Sequence, residues 1–277
     1  MSPTTPNLEN LKMTNRFAAL FADIENRNEG AFVPLVTLCD PTPEKSLEIL
    51  TDLAAAGADA FVLNLAFSDP CADGPETVEA AKRALAAGSA TGRAFELVRA
   101  FRAAHPDVPL AMRLFCNTLF ACGLKDFFRL AGEAGIDAVV LPDLPHSMQD
   151  EEFEWNREAR QAQIALVGQS SVATFAETLE RAAGKSEGLF LLTAGGPAPS
   201  DEAVAAAVDL VKNAGVRALA PAETLEAARD AMEAGAAGVY AEAACAALVR
   251  ENLANAPALK EALVQFAAAM KAALRKA

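Results

Sequence analysis

Eight short apolar runs recur along the chain, separated by longer stretches in which apolar residues follow a helical spacing. Most of the runs are continuously apolar rather than alternating, which is typical of parallel strands covered on both faces. The first reads FVPLVTL and the second DAFVLNL. We therefore predict eight strands, at residues 32–38, 59–65, 108–116, 137–144, 164–170, 188–194, 216–222 and 237–243.

The stretches between these runs predict helices of about ten to fifteen residues. They begin at a capping residue or a turn glycine and end at glycine, and the junctions AGADA, AGIDA, AGVRA and AGAAG recur before strands. Eight strands that alternate with helices predict an α/β protein, a (β/α)8 TIM barrel. A doubly wound open sheet is the alternative, but no G-x-G-x-x-G sequence follows the first predicted strand.

Two helical segments lie outside the eight repeats. The amphipathic segment NRFAALFADIENRNEG precedes the first strand, and APALKEALVQFAAAMKAALRKA ends the chain. We expect an extra N-terminal helix and a long C-terminal helix that cap the barrel. No linker interrupts residues 15–277, which predicts a single domain, and residues 1–14 read as a flexible extension without the features of a signal peptide.

Charge narrows the classes of function. The chain carries 37 acidic and 24 basic residues, a formal net charge of −13. Such an acidic protein repels phosphate backbones and anionic lipid, so we expect neither a nucleic-acid nor a membrane partner. Five cysteines occur without a CxxC or Cys/His pattern, which argues against a disulfide framework or a zinc site. We expect a cytoplasmic protein that acts on a small-molecule ligand.

Polar side chains at the carboxyl ends of the strands are the candidates for chemistry, because active sites of such barrels lie there. Asp73 is the best catalytic candidate, since it lies between the second strand and a glycine-proline helix start. For Asp40 and Asp143 we favour a structural role in turns or helix caps. The second strand itself, FVLNL, carries no ionisable side chain.

Arg113 is out of place in an apolar strand, LAMRLFC, where alternation puts it on the same face as Phe115. A buried guanidinium needs a partner, because an unpaired buried charge is very costly. Asp73 and Asn64 are the predicted partners across the barrel mouth. Two interpretations stay open at this point, a structural ion pair and a site for an anionic ligand.

The segments EGAFVPLVTLCDPTPEKSLEIL, FSDPCADGP and AGAAGVYAEAACAALV resemble the tryptophan synthase α chain family over nearly the whole chain. The resemblance implies a (β/α)8 lyase that splits indole-3-glycerol phosphate into indole and glyceraldehyde 3-phosphate. It also implies a hetero-oligomer, in which a β chain receives the indole through a tunnel. It implies no cofactor on this chain, because pyridoxal phosphate belongs to the β chain.

The resemblance also implies departures at the residues that carry the chemistry. The carboxylate that holds the indole N–H is present as Asp73, but the proton-shuttling glutamate of the second strand falls on Val62. The assisting tyrosine falls on Phe190, and an apolar position of the indole pocket falls on Arg113. We therefore predict a degenerate pocket, lined by Asn64, Arg113, Phe115, Phe190 and Gly196.

The expected phosphate site departs in the same way. The loop after the sixth strand keeps Gly196, but the glycine-rich positions after the seventh and eighth strands align with Leu219–Glu223 and with Glu242–Ala243. Pro221 has no N–H to donate, and the two glutamates add negative charge. By contrast, the positions that face a β chain are matched at Asp69, Pro70, Asn117 and Pro145.

Three hypotheses follow from these observations. The first is a catalytically impaired barrel that docks on a β chain and activates it. The second is a functional indole-3-glycerol phosphate lyase of tryptophan biosynthesis. The third is a re-purposed barrel that binds a different anionic ligand through Arg113.

Overall fold

A computed structural model describes residues 15–144, 153–196 and 198–275 of the chain. Its eight strands are all parallel and close into a barrel in which each strand pairs with its sequence neighbours and β8 pairs with β1. This confirms the predicted (β/α)8 TIM barrel. The strands are β1 Ala31–Thr37, β2 Phe61–Asn64, β3 Leu110–Arg113, β4 Ala138–Val140, β5 Ala165–Ser171, β6 Leu189–Thr193, β7 Arg217–Pro221 and β8 Gly238–Ala241.

Helices follow the strands around the outside of the barrel, and several are shorter than the predicted stretches. The described residues form α1 Asn15–Arg27, α2 Pro43–Ala55, α3 Pro75–Ala86, α4 Thr91–Ala104, α5 Cys116–Cys122, α6 Leu124–Ala134, α7 Phe153–Gln161, α8 Ala176–Lys185, α9 Asp201–Asn213, α10 Leu225–Glu233, α11 Ala244–Glu251 and α12 Ala256–Ala273.

Local sequence explains where these helices begin and end. The side chains of Thr42, Ser200 and Thr224 each accept a hydrogen bond from a backbone N–H in the first turn of the helix that follows. At the end of α6, Gly135 adopts a left-handed conformation with φ of 84°, which a residue with a side chain rarely adopts. These signals are the ones on which the sequence prediction of the helices rested.

Two apolar layers hold the barrel together. An inner cluster joins inward-facing strand residues such as Leu35, Val62 and Leu191, and an outer cluster joins the opposite strand faces to the helices. Phe17 and Phe21 of α1 belong to the inner cluster, so this helix closes the amino end of the barrel as predicted. The carboxyl end is therefore the open mouth, where Asn64 and Arg113 end their strands.

The long α12 packs beside α2, α10 and α11 on the outside of the barrel. No helix of the described residues is long and apolar enough to cross a membrane. The flexible extension predicted for residues 1–14 lies outside the described residues.

Candidate functional site

Arg113 occupies the centre of the barrel mouth, and its side chain is 0% exposed. It ends β3 directly opposite Asn64, the last residue of β2. Its Nη1 donates to Asn64 Oδ1 at 3.0 Å, and its Nε donates to Gln169 Oε1 at 3.2 Å. The predicted partner Asn64 is confirmed, whereas Gln169, from a strand far away in the sequence, was not foreseen.

Asp73 forms the charged partner of Arg113, as predicted. Arg113 Nη2 lies 2.6 Å from Asp73 Oδ1, and the Asp73 side chain is 1% exposed. The N–H is not aligned for a hydrogen bond, and neither carboxylate oxygen has a hydrogen-bond partner among the described residues. The contact is thus a close, buried ion pair, and the carboxylate of the best catalytic candidate is neutralised by it.

Val62 lies in the inner apolar cluster, in register between Leu35 of β1 and Ala111 of β3. Its side chain is 1% exposed and meets only the apolar interior of the barrel. Position 62 therefore carries no group that could accept or donate a proton. This is the structural counterpart of the missing ionisable residue in the second strand.

Tyr240, on β8, is fully buried, and its hydroxyl has no hydrogen-bond partner in the described part of the chain. Burial raises the pKa of this phenol well above its usual value, and the neighbouring negative charges of Glu242, Asp73 and Glu223 raise it further. The phenol therefore stays protonated and faces the same group of charges as Arg113. Sequence reasoning did not assign the residue to the mouth.

Glu242 follows β8 directly, and its Oε1 lies 3.8 Å from Arg113 Nη2. Burial is the main cause that raises the pKa of Glu242 to about 7. Arg113 opposes this shift, while Asp73 and Glu223 add to it by repulsion. One guanidinium is thus shared by two acidic side chains, and the second of them titrates near neutral pH.

Glu223 has a role that the sequence did not reveal. Its carboxylate accepts hydrogen bonds from the backbone N–H groups of Glu242 at 2.7 Å, Ala243 at 3.1 Å and Ala244 at 2.8 Å. These amides form the amino end of α11, whose N-cap residue Ala243 has no side-chain cap. The sequence analysis expected the negative charge of Glu223 in this region but not its backbone partners. The alanine-rich start of α11, which has no capping side chain, is the feature that could have indicated them.

The remaining residues of the predicted pocket separate into two groups. The Phe115 ring lies 5.6 Å from the Arg113 guanidinium carbon and stacks on Phe67, so it belongs to the mouth. The structure does not bring Phe190 to this cluster, which corrects the predicted pocket position. Leu189 and Leu191 on either side face the barrel interior, so alternation turns the Phe190 ring outward against Gly168.

Gly196, the other predicted pocket residue, lies in the exposed loop after β6. Its backbone φ is 154°, and a Cβ atom built there would meet no heavy atom within 4 Å. The described residues thus leave open space beside Gly196.

Asp40 and Asp143 have structural partners. Both carboxylate oxygens of Asp143 accept a hydrogen bond from the Cys116 N–H, at 2.9 and 3.1 Å, which caps α5 as the sequence interpretation proposed. Asp40 instead accepts two hydrogen bonds of 2.8 Å from Arg83 of α3. Its partner is therefore a side chain rather than the backbone expected of a turn residue.

The predicted contact positions for a β chain lie on loops at the mouth. Asp69 and Asn117 are exposed, and Pro70 is partly exposed. Pro145 lies outside the described residues. In the described ranges, no three His, Cys, Asp or Glu side chains are grouped so that they could hold a metal ion.

Comparison with known proteins agrees with this architecture. The family model described as tryptophan synthase alpha chain matches residues 21–274. The tryptophan synthase alpha chain of Aliivibrio fischeri is 36% identical over 270 residues, which cover 95% of this chain and 100% of the relative. That of Francisella tularensis is 34% identical over 269 residues, covering 94% and 99%.

Solved structures resemble the fold over the same length. Tryptophan synthase subunit alpha from Legionella pneumophila superposes with a TM-score of 0.85 at 25% identity, covering 94% of this chain and 98% of that one. A tryptophan synthase chain from M. tuberculosis gives 0.82 at 20% identity, covering 95% and 99%. With its closed barrel and a family match along nearly its full length, this chain belongs to the tryptophan synthase alpha chain family.

Proposed function

We propose that this chain is a catalytically impaired member of its family that acts as the partner and activator of a β chain. The observation that carries the proposal is the buried ion pair between Arg113 and Asp73. It engages the one mouth carboxylate that matches the family's catalytic pattern, while Val62 offers no second proton carrier.

Both features act against the lyase reaction that the family resemblance implies. Loss of a positioned general acid or base costs about 10²–10⁴ in rate. The Asp73 carboxylate is also held against the Arg113 guanidinium, so it is not free to approach a substrate. The Arg113 side chain moreover places charge in the mouth, where it donates to Asn64 and Gln169 and forms an ion pair with Asp73.

The loops at the barrel mouth carry the predicted contact positions for a β chain. Asp69 and Asn117 are exposed at positions that match the family's β-chain contacts, and the segment FSDPCADGP carries the resemblance at its clearest. Asp73 of this segment is held by Arg113, whereas no contact joins Arg113 to Asp69 or Pro70 among the described residues, so these two positions stay open to a partner although the barrel interior is altered. Docking and catalysis are therefore separable in this chain.

The decisive experiment measures indole release from indole-3-glycerol phosphate, with and without a tryptophan synthase β chain from the same organism. The same mixtures are assayed for turnover of added indole and serine by the β chain. We expect no indole release and faster β-chain turnover. Indole release above background would overturn the impairment, and unchanged β-chain turnover would overturn the partner role.

A pair of variants locates the docking surface. Asn117→Ala, at an exposed predicted contact position, should reduce the activation of the β chain. Asp209→Ala, an exposed position on α9 away from the mouth loops, should leave it unchanged. Equal effects of the two variants would argue against docking through the mouth loops.

A further inference from the structure

The loop between β2 and α3, residues 65–74, contains neither helix nor strand, and its middle is exposed. We call it the β2 loop. Its Cys71 N–H donates to Asp69 C=O at 2.9 Å, and its Asp73 N–H donates to Pro70 C=O at 3.0 Å. These hydrogen bonds close turns within the loop and do not tie it to the rest of the barrel. The position of the loop therefore depends on its contacts with neighbouring elements.

Two side chains of the β2 loop contact the end of β3 and the residues after it. The Asp73 carboxylate forms the ion pair of 2.6 Å with Arg113, and the Phe67 ring stacks on the Phe115 ring with their centroids 5.3 Å apart. The Phe115 ring in turn lies 5.6 Å from the Arg113 guanidinium carbon. At the base of the loop, Leu65 N–H donates to Arg113 C=O at 2.9 Å. All three contacts thus converge on Arg113 and its neighbour.

Arg113 is suited to be a fixed anchor because its other donors are engaged. Its Nη1 donates to Asn64 at 3.0 Å, and its Nε donates to Gln169 of β5 at 3.2 Å. The side chains of the ion pair are 0% and 1% exposed, so water screens their attraction little. A loop conformation that withdraws Asp73 would leave the buried guanidinium without its closest charge partner, which is costly. The pair therefore favours one position of the loop.

We propose that Arg113 is a positioning residue for docking: its ion pair with Asp73 holds the β2 loop so that Asp69 and Pro70 are presented to the β chain. The inference rests on the proposed partner role, since these two positions match the family's β-chain contacts. A loop that is already ordered loses less conformational entropy when it binds, so the ion pair raises the affinity of docking. A buried pair thus supports an exposed contact surface.

The first measurement uses the full chain without a partner. Hydrogen exchange compares the unmodified protein with the double variant Asp73→Asn and Arg113→Met. This variant leaves neither charge alone in the interior, so it should remain folded. We expect the protection of the loop amides at positions 71 and 73 to fall at least tenfold, because the loop opens more often without its anchor. Unchanged protection would overturn the anchoring role.

The second measurement titrates each protein into a tryptophan synthase β chain from the same organism and follows turnover of indole and serine. The double variant should need at least a tenfold higher concentration for half-maximal activation, while turnover at saturation stays within about twofold, because the contact residues are unchanged. If Arg113 and Asp73 served only the stability of the fold, the folded double variant would dock normally. Equal half-maximal concentrations would therefore overturn the proposal.

The two measurements separate this inference from the proposed function. Absence of activation by the unmodified chain would overturn the partner role. The exchange measurement, which is made without the β chain, would still decide whether Arg113 holds the loop. Activation by the unmodified chain together with equal activation by the double variant would overturn the positioning role alone.

A matched control tests whether loss of any ion pair has the same effect. Arg129→Met with Glu133→Gln removes an exposed pair of 2.9 Å from α6 on the outside of the barrel. This control should leave both the protection of the β2 loop and the half-maximal concentration unchanged. Equal effects of the control and of the double variant at positions 73 and 113 would contradict the proposal.

Discussion

At the scale of single residues, the molecule is dominated by one buried guanidinium. Arg113 is 0% exposed and is held by Asn64, Gln169 and Asp73. A buried pair contributes little net stability when it is intact, but removal of one partner leaves an uncompensated charge. The pair therefore fixes the mouth in one arrangement, and its members are strongly coupled.

We expect Asp73→Asn and Arg113→Met each to lower the free energy of unfolding by about 3–5 kcal/mol. The double variant should lose much less than the sum, because neither charge is then left alone. Urea unfolding of the four proteins gives the coupling energy. The exposed pair Glu177 and Arg181 is the control, with an expected coupling below about 1 kcal/mol.

Additive losses at positions 73 and 113 would show that the two side chains act independently, contrary to the 2.6 Å contact between them.

Glu242 predicts a dependence of stability on pH. Its pKa is raised from 4.5 to about 7 in the folded chain, so the fold favours the protonated acid. Stability from this group is fully present below pH 4.5 and is lost as the pH rises through about 7. Glu242→Gln removes the titration, and the variant should become more stable than the unmodified chain by up to about 3 kcal/mol at pH 8.

The measurement is urea unfolding of both proteins between pH 4 and pH 8. Other carboxyls with raised pKa values, such as those of Asp40 and Asp59, titrate in both proteins and cancel in the difference. A difference that stays constant over this range would mean that Glu242 does not titrate as described.

At the scale of elements, side chains that follow the strands hold the helices at the barrel mouth in position. Asp143 after β4 caps α5 of the preceding unit, and Asp40 after β1 binds Arg83 of α3. Each contact joins neighbouring β/α units at the carboxyl end of the barrel. These two aspartates therefore support the site without taking part in it.

Asp143→Ala should lower the free energy of unfolding by about 1–2 kcal/mol, because the Cys116 N–H loses its acceptor and α5 its cap. Burial and the Asp143 carboxylate raise the pKa of the Cys116 thiol to about 12. The variant should therefore also show faster thiol modification of Cys116. Unfolding and thiol titration measure the two effects, with Asp209→Ala as the exposed control. An unchanged unfolding free energy would contradict the capping role.

At the scale of the whole molecule, several changes at the mouth reinforce one another. Val62 supplies no carboxylate, Arg113 neutralises that of Asp73, and Glu223 accepts from the amides at the start of α11. The three features come from β2, the neighbouring β3 and the end of β7, which lies across the barrel from them. With the function proposed above, no single substitution should therefore give the chain lyase activity.

We expect Val62→Glu to release no indole from indole-3-glycerol phosphate. A carboxylate at position 62 lies on the same strand face as Asn64, so it would compete with Asp73 for the Arg113 guanidinium rather than remain a free base. Indole release and urea unfolding of the Val62→Glu variant are both measured, so that a lack of activity can be told from a failure to fold. Recovery of activity by this one substitution would show that neither the ion pair nor Glu223 obstructs the reaction.

The sequence by itself determined the barrel and much of its mouth. Continuous apolar runs such as FVPLVTL can be buried on both faces only in a parallel sheet, and capping residues such as Thr42 mark helix starts locally. The need of Arg113 for a partner also follows from its type and position, because a buried charge cannot remain alone. Asp73 and Asn64 could therefore be predicted as its partners, because Asn64 ends the neighbouring strand β2 and Asp73 follows it.

Only the tertiary structure decided which distant groups meet. Gln169 reaches Arg113 from β5, two strands away around the closed barrel. Glu223 reaches the amides of α11 from the end of β7, the neighbour of β8 in the sheet. Strand pleating also turned Phe190 outward, which residue type does not reveal. Which side chains meet depends on the register and curvature of the closed sheet, and these are properties of the whole fold.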